Sequence, residues 1–152
     1  RRNTIIQTLV SKLPNNTLIM VNHIAHGEVI EEYLNKVDGK KVYFIQGSVD
    51  VEEREKIKAI METETNVVVI AISAIFATGV NVKNLHNIIF ASGGKSFIRT
   101  VQSIGRGLRK TDDKDSVTLY DIADDLSWKK NLNYTLNHFS ERINIYSKEN
   151  FN

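Results

Sequence analysis

The chain has 152 residues, of which 41% are hydrophobic and 25% are charged, and its formal net charge is +2. These values are typical of one globular domain that is large enough to bury a core. The chain contains no cysteine, which excludes disulfides, thiol catalysis and cysteine-ligated zinc. The mildly basic balance allows nucleic-acid binding without requiring it. No apolar run reaches the length of a membrane span, so the sequence predicts no membrane contact and a cytoplasmic location.

Helical and strand patterns alternate along the first half of the chain. The predicted elements are a helix ended by Pro14, a strand over 17–21, a helix over 24–37, a strand over 41–45, and a helix opened by a capping box at Asp50 and Glu53. His23 and His26 are interpreted as surface or capping residues rather than metal ligands.

The alternation continues to the end of the chain. The predicted elements are strands over 66–72, 87–91 and 117–122, a helix over 97–109, and a tail helix with apolar residues from Trp128 to Tyr146. Strands rich in Val and Ile that alternate with helices are typical of a parallel sheet covered on both faces. The sequence therefore predicts a single α/β domain with a parallel sheet of about five or six strands. Since the chain begins Arg1-Arg2 without methionine, we expect residues 1–152 to come from a longer chain.

The helix predicted over 97–109 has two distinct faces. Its apolar stripe consists of Phe97, Val101, Ile104 and Leu108. Its polar stripe consists of Arg99, Gln102, Arg106 and Arg109. Gly105 and Gly107 lie inside this helix, where each costs about 1 kcal/mol relative to Ala. Clustered guanidinium groups beside glycines indicate close approach of a phosphate. The alternative is a solvated basic face whose cations interact favourably with the helix dipole near its carboxyl end.

No phosphate-binding loop accompanies these arginines. Gly93-Gly94-Lys95-Ser96 follows a strand, but a P-loop needs a glycine where Ile89 stands. Arginines aimed at phosphate in a domain without its own P-loop suggest fingers supplied to a nucleotide that another domain holds. Polar loops at 22–23, 46–48, 73–79 and 92–96 follow strands, and we expect them to gather at the carboxyl edge of the sheet.

Residues 102–109, Gln-Ser-Ile-Gly-Arg-Gly-Leu-Arg, resemble motif VI of superfamily-two helicases. The block over 17–34 resembles motif IV, and the block over 67–89, with Ser73 and Thr78-Gly79-Val80-Asn81, resembles motif V. Phe44-Ile45-Gln46-Gly47 resembles the strand-and-glycine block between them. The resemblance covers nearly the whole chain. It implies a RecA-like fold and the second motor domain of an ATP-dependent nucleic-acid helicase or translocase that acts in DNA recombination, repair or branch migration.

The resemblance also implies roles for individual residues. Arg106 and Arg109 would contact the γ-phosphate of ATP, with Arg109 as the preferred finger, and Gln102 would help position that phosphate. The nucleotide contacts would include Gly79, Asn81 and Gly105. The nucleic-acid backbone contacts would include Asn22, His23, Gly47 and Ser73. ATP and Mg²⁺ would be held mainly by an amino-terminal RecA-like domain, and this chain alone is expected to be inactive. DNA is favoured over RNA.

Two positions depart from the family pattern. Ser103 stands where motif VI commonly has Arg, and Asn81 stands where motif V often has Asp. Asparagine can accept a hydrogen bond but carries no charge. Two other readings stay open: a non-catalytic RecA-like module that docks on nucleic acid or protein, and an independent Rossmann-type enzyme. The second is disfavoured because no Gly-x-Gly-x-x-Gly follows the first strand.

Overall fold

The structure, a computed structural model, describes residues 1–46, 51–72, 84–91, 118–122, 140, 141, 143 and 144. The described elements are α1 (Arg2–Lys12), β1 (Thr17–Val21), α2 (Ile24–Leu34), β2 (Lys41–Ile45), α3 (Val51–Thr63), β3 (Val67–Ile72), β4 (Asn87–Phe90) and β5 (Thr118–Asp121). The helix predicted over 97–109 lies outside the described residues, as does Asp50. In the predicted tail helix, the four described residues are helical.

The five described strands form one parallel sheet in the order β2-β3-β1-β4-β5. β1 lies in the centre, with β3 on one side and β4 on the other. The central strands β1, β3 and β4 are buried over almost their whole length, as expected for parallel strands covered on both faces. The predicted parallel α/β fold is therefore confirmed.

Two apolar clusters cover the two faces of the sheet. On one face, Ile57 and Met61 of α3 pack against alternate residues of the central strands, including Met20 and Phe90. On the other face, α1 and α2 pack against the intervening residues, with Ile6 and Ile30 fully buried. Because successive strand residues point to opposite faces, each central strand contributes to both clusters. Helices therefore lie on both faces, as the sequence predicts.

The prediction that the second helix runs to residue 37 is wrong by one turn. α2 ends at Leu34, and the following amides of Lys36 and Val37 donate to Tyr33 and Leu34, three residues back. Hydrogen bonds of this i→i−3 type form a tighter turn than the α-helix, so the α-helix ends before them. The turn then reverses through Gly39, whose φ of 79° is in the left-handed region.

Gly27 allows α2 to lie directly on β2. A Cβ atom at this position would overlap the ring of Phe44. The side chain of Phe44 therefore packs against helix backbone, and it joins the cluster formed by α1 and α2. Glycine is required at this position by the close approach.

Asparagines close the amino edge of the sheet. Asn16 is buried, and its Nδ2 donates to the carbonyl oxygens of Met61 and Glu64 at 3.1 and 2.9 Å. Its Oδ1 accepts from the amide of Val67 at 3.1 Å, and its backbone oxygen accepts from the amide of Asn87 at 3.1 Å. One residue, through its side chain and its backbone oxygen, thus ties the end of α3 to the starts of β1, β3 and β4. This edge is held by satisfied hydrogen bonds.

Candidate functional site

The strand register brings three strand ends together at the carboxyl edge, those of β1, β3 and β4. Val21 at the end of β1 pairs with Ile72 at the end of β3. On the other side, the amide of Ala91 donates to the carbonyl of Met20 at 3.0 Å. The ends of β3 and β4 therefore lie on either side of the turn after β1. In parallel sheets this edge is where ligands bind.

Asn22 and His23 form that central turn. Asn22 is half-buried and His23 is exposed. His23 is the N-cap residue of α2, with extended backbone (φ −132°, ψ 140°), and its side chain makes no capping hydrogen bond. The first helical turn closes through the amide of Gly27, which donates to the His23 carbonyl at 3.2 Å. The turn therefore presents an imidazole at the positive end of a helix dipole.

Two further basic side chains lie beside this turn. Arg2 of α1 reaches the same edge, where its Nη1 donates to the Ala91 carbonyl at 3.2 Å. His26 lies in the first turn of α2, and its Nε2 is 3.1 Å from Oδ1 of Asn3. Burial lowers the pKa of His26 from its ordinary value, and the charges of Arg2 and His23 lower it further. The first turns of α1 and α2 thus bring Arg2, His23 and His26 together.

Sequence reasoning identified His23 but missed Arg2 and the partner of His26. The signal for His26 was its spacing of three residues from His23, which places both on one side of α2. Arg2 lies 89 residues from its carbonyl partner in sequence, so only the strand order brings the two together. His26 bonds an asparagine, and no cluster of three metal-binding side chains occurs within the described part of the chain.

Of the predicted site residues, the structure describes Asn22 and His23, and it places both at the carboxyl edge. The remaining ones lie outside the described residues: Gly47, Ser73, Gly79, Asn81, Gln102, Gly105, Arg106 and Arg109. Their segments follow β2, β3 and β4, whose carboxyl ends all lie on this edge. Among the described helices, none is long and apolar enough to cross a membrane.

The family model of the helicase conserved C-terminal domain matches residues 1–111. The chain therefore belongs to this family of helicase domains, and its sheet has the RecA-like arrangement. The predicted membership is confirmed.

One relative, matched both in sequence and in structure, makes the comparison specific. The ATP-dependent DNA helicase uvsW of Enterobacteria phage T4 is 36% identical over 165 residues, which cover 100% of this chain and 33% of that helicase. The crystal structure of T4 UvsW has a TM-score of 0.76 at 38% identity and covers 99% of this chain and 33% of its own. The chain thus spans about a third of the length of this relative.

A second protein shares the fold at low sequence identity. The C-terminal domain of the DEAD-box protein Dbp5 has a TM-score of 0.64 at 15% identity, over 98% of this chain and 78% of its own. At this identity the likeness shows the fold alone. A RecA-like sheet is therefore common to this chain and to a helicase-type domain of quite different sequence.

Proposed function

We propose that this chain is the second motor domain of an ATP-dependent nucleic-acid helicase or translocase of superfamily two. The observation that carries the proposal is the whole-chain similarity to T4 uvsW, together with a family match that includes residues 102–109. Because uvsW is named a DNA helicase, DNA is the proposed substrate. Recombination, repair or branch migration is the proposed setting.

The proposed chemistry is stabilisation of charge on ATP that the amino-terminal RecA-like domain holds with Mg²⁺. Arg106 and Arg109 would approach the γ-phosphate when the two domains close, and Gln102 would orient it. Guanidinium groups at this position stabilise negative charge that develops on the phosphoryl oxygens. Gly79, Asn81 and Gly105 would lie next to the nucleotide. The strand register supports this assignment, because the segments containing these residues continue from β3 and β4 on either side of β1.

The proposed nucleic-acid contacts lie along the same edge. Asn22, His23, Gly47 and Ser73 would contact backbone phosphates, since each follows the carboxyl end of a strand. Amide and imidazole N–H groups at a helix start are suitable donors for phosphate oxygens. Alternating contacts from the two motor domains during opening and closing would then move the strand.

The test is ATP hydrolysis measured with and without DNA, for this chain alone and for the complete protein that contains it. The proposal predicts negligible hydrolysis by the chain alone and DNA-stimulated hydrolysis by the complete protein. A separate amino-terminal domain, added without a covalent link, should restore little activity because the cleft is not assembled. DNA binding by a complete protein that hydrolyses no ATP would instead favour the non-catalytic docking module.

A further inference from the structure

The basic side chains at the carboxyl edge come from two different helices. Arg2 and its neighbour Asn3 belong to α1, whereas His23 and His26 cap and begin α2. The contact between His26 and Asn3 joins the two helix starts. The contact between Arg2 and Ala91 fixes both to the end of β4. This cluster is therefore built by tertiary packing, and it lies next to the turn formed by Asn22 and His23.

We propose that Arg2, His23 and His26 form one binding site for a backbone phosphate of nucleic acid, and that His26 takes up a proton when the phosphate binds. The inference rests on the proposed function, because the phosphate is supplied by the bound strand. It adds two features to the proposed function: a phosphate contact from Arg2 of α1, and an affinity for nucleic acid that depends on pH.

The surroundings of His26 explain why the proton is taken up only with the ligand. Burial and the charges of Arg2 and His23 lower the pKa of His26. From α1, the groups that face it are Arg2 and Asn3. The strands packed against α2 contribute apolar side chains to the hydrophobic core beneath that helix. The two groups whose charges lower the pKa of His26 are thus both basic side chains, Arg2 and His23.

A phosphate at this position reverses the local balance of charge. Its negative charge offsets the repulsion from Arg2 and His23 and favours the imidazolium form of His26. The proton comes from solvent, and the imidazolium form has N–H donors at both ring nitrogens. Because the bound state holds more protons than the free state, affinity must rise as pH falls. The expected limit for one proton is about a tenfold change in Kd per pH unit.

The experiment measures the Kd of the 152-residue chain for a fluorescently labelled single-stranded DNA oligonucleotide. Anisotropy titrations at constant ionic strength would run from about pH 5.5 to about pH 8.5, the range over which histidine titrates. His26→Gln keeps an N–H group for Asn3 but cannot gain a proton. It should therefore bind with a clearly shallower dependence on pH than the wild type. His86→Gln is the matched control, because His86 lies at the opposite edge, before β4, and it should keep the wild-type slope.

A second measurement does not depend on any variant folding. The pKa of His26, followed by its imidazole NMR signal, should rise when the oligonucleotide is added. If His26→Gln keeps the wild-type slope, or if the pKa of His26 does not rise on binding, the inference is overturned while the proposed function stands. If the chain binds no DNA at any pH, both this inference and the backbone contacts proposed for Asn22 and His23 are wrong.

Discussion

The two edges of the sheet use polar side chains in opposite ways. At the amino edge, the asparagine Asn16 is buried and makes hydrogen bonds through its side-chain amide and its backbone oxygen, all of them to other parts of this domain. At the carboxyl edge, His23 is exposed at a helix start, and the basic side chains of Arg2 and His26 lie beside it. Placing like charges together opposes folding unless a ligand offsets them. The amino edge therefore stabilises the fold, and the carboxyl edge is suited to bind anions.

The amino edge also shows how the strands begin. Asn15, Asn66 and Asn84 have φ values of 65°, 60° and 62° and precede β1, β3 and β4. Asparagine tolerates the left-handed region better than other residues with a Cβ atom. These turns direct the chain into the three central strands, all at the amino edge of the sheet. These three left-handed conformations belong to the structural scaffold, and none of them indicates a ligand site.

Asn16→Ala should have the largest effect among the variants that test this difference between the two edges of the sheet. Removing this amide leaves the Val67 amide and two carbonyl groups at the end of α3 without their partner. Each unsatisfied buried group costs about 1–3 kcal/mol, so the unfolding free energy should fall by about 3 kcal/mol or more. Urea denaturation measures the change. Asn35→Ala, at the exposed end of α2, is the control and should change it by less than about 0.5 kcal/mol.

The opposite result is expected from His23→Ala. His23 is exposed and makes no side-chain capping bond, so the unfolding free energy should change by less than about 0.5 kcal/mol. DNA affinity near about pH 6, where histidine is partly charged, should weaken about fivefold, which is near 1 kcal/mol. Anisotropy with a labelled oligonucleotide measures this change. A marked loss of stability with unchanged affinity would remove the distinction between the two edges.

The smallest effect is expected at Tyr43, on the edge strand β2. Its hydroxyl donates to the carboxylate of Glu64 at 2.6 Å, and Lys41 lies 3.1 Å from the same carboxylate. The Tyr43 bond first, and then Lys41, hold the pKa of Glu64 below its ordinary value of 4.5. A carboxyl group with a lowered pKa in the folded state stabilises that state above its unfolded pKa, and this contribution is lost as pH falls through the folded pKa.

Tyr43→Phe should therefore lower Tm slightly at neutral pH, and the difference from the wild type should shrink in acid. Thermal unfolding measured at several pH values checks this trend. A difference that stays constant, or that grows as the carboxyl is protonated, would show that the bond to the ionised carboxylate of Glu64 does not stabilise the fold. DNA affinity at neutral pH should be unchanged, since Glu64 lies before β3 at the amino edge.

The scaffold could be predicted from sequence, because its signals are local. Continuous apolar runs at 17–21, 66–72 and 87–91 identify the buried central strands, and Pro14 marks the end of the first helix. The end of α2 was predicted too late, since the apolar pattern continues to Val37 while the backbone tightens after Leu34. An apolar pattern predicts which residues are buried but not where the helix ends, because residues in the tight turn after a helix can be buried too.

Contacts that depend on strand order could not be predicted. Arg2 is 89 residues from Ala91 in sequence, and Asn16 is 51 residues from Val67. Neither pair has a periodic signal, because each forms only when β1 lies between β3 and β4. Asn22 and His23 could be identified because they directly follow a clear strand. The roles proposed for Gln102, Arg106 and Arg109 come from the family motif and remain predictions.

The central claim is that this domain contributes an arginine to ATP hydrolysis on its partner domain. The most direct measurement is DNA-stimulated hydrolysis by the complete protein with Arg109→Ala, and with Lys110→Ala as the adjacent basic control. Arginine fingers contribute about 10³-fold or more to kcat, so Arg109→Ala should lose nearly all stimulated turnover while DNA affinity stays unchanged. Lys110→Ala should remain within about twofold of wild type. Wild-type turnover by Arg109→Ala would contradict the account.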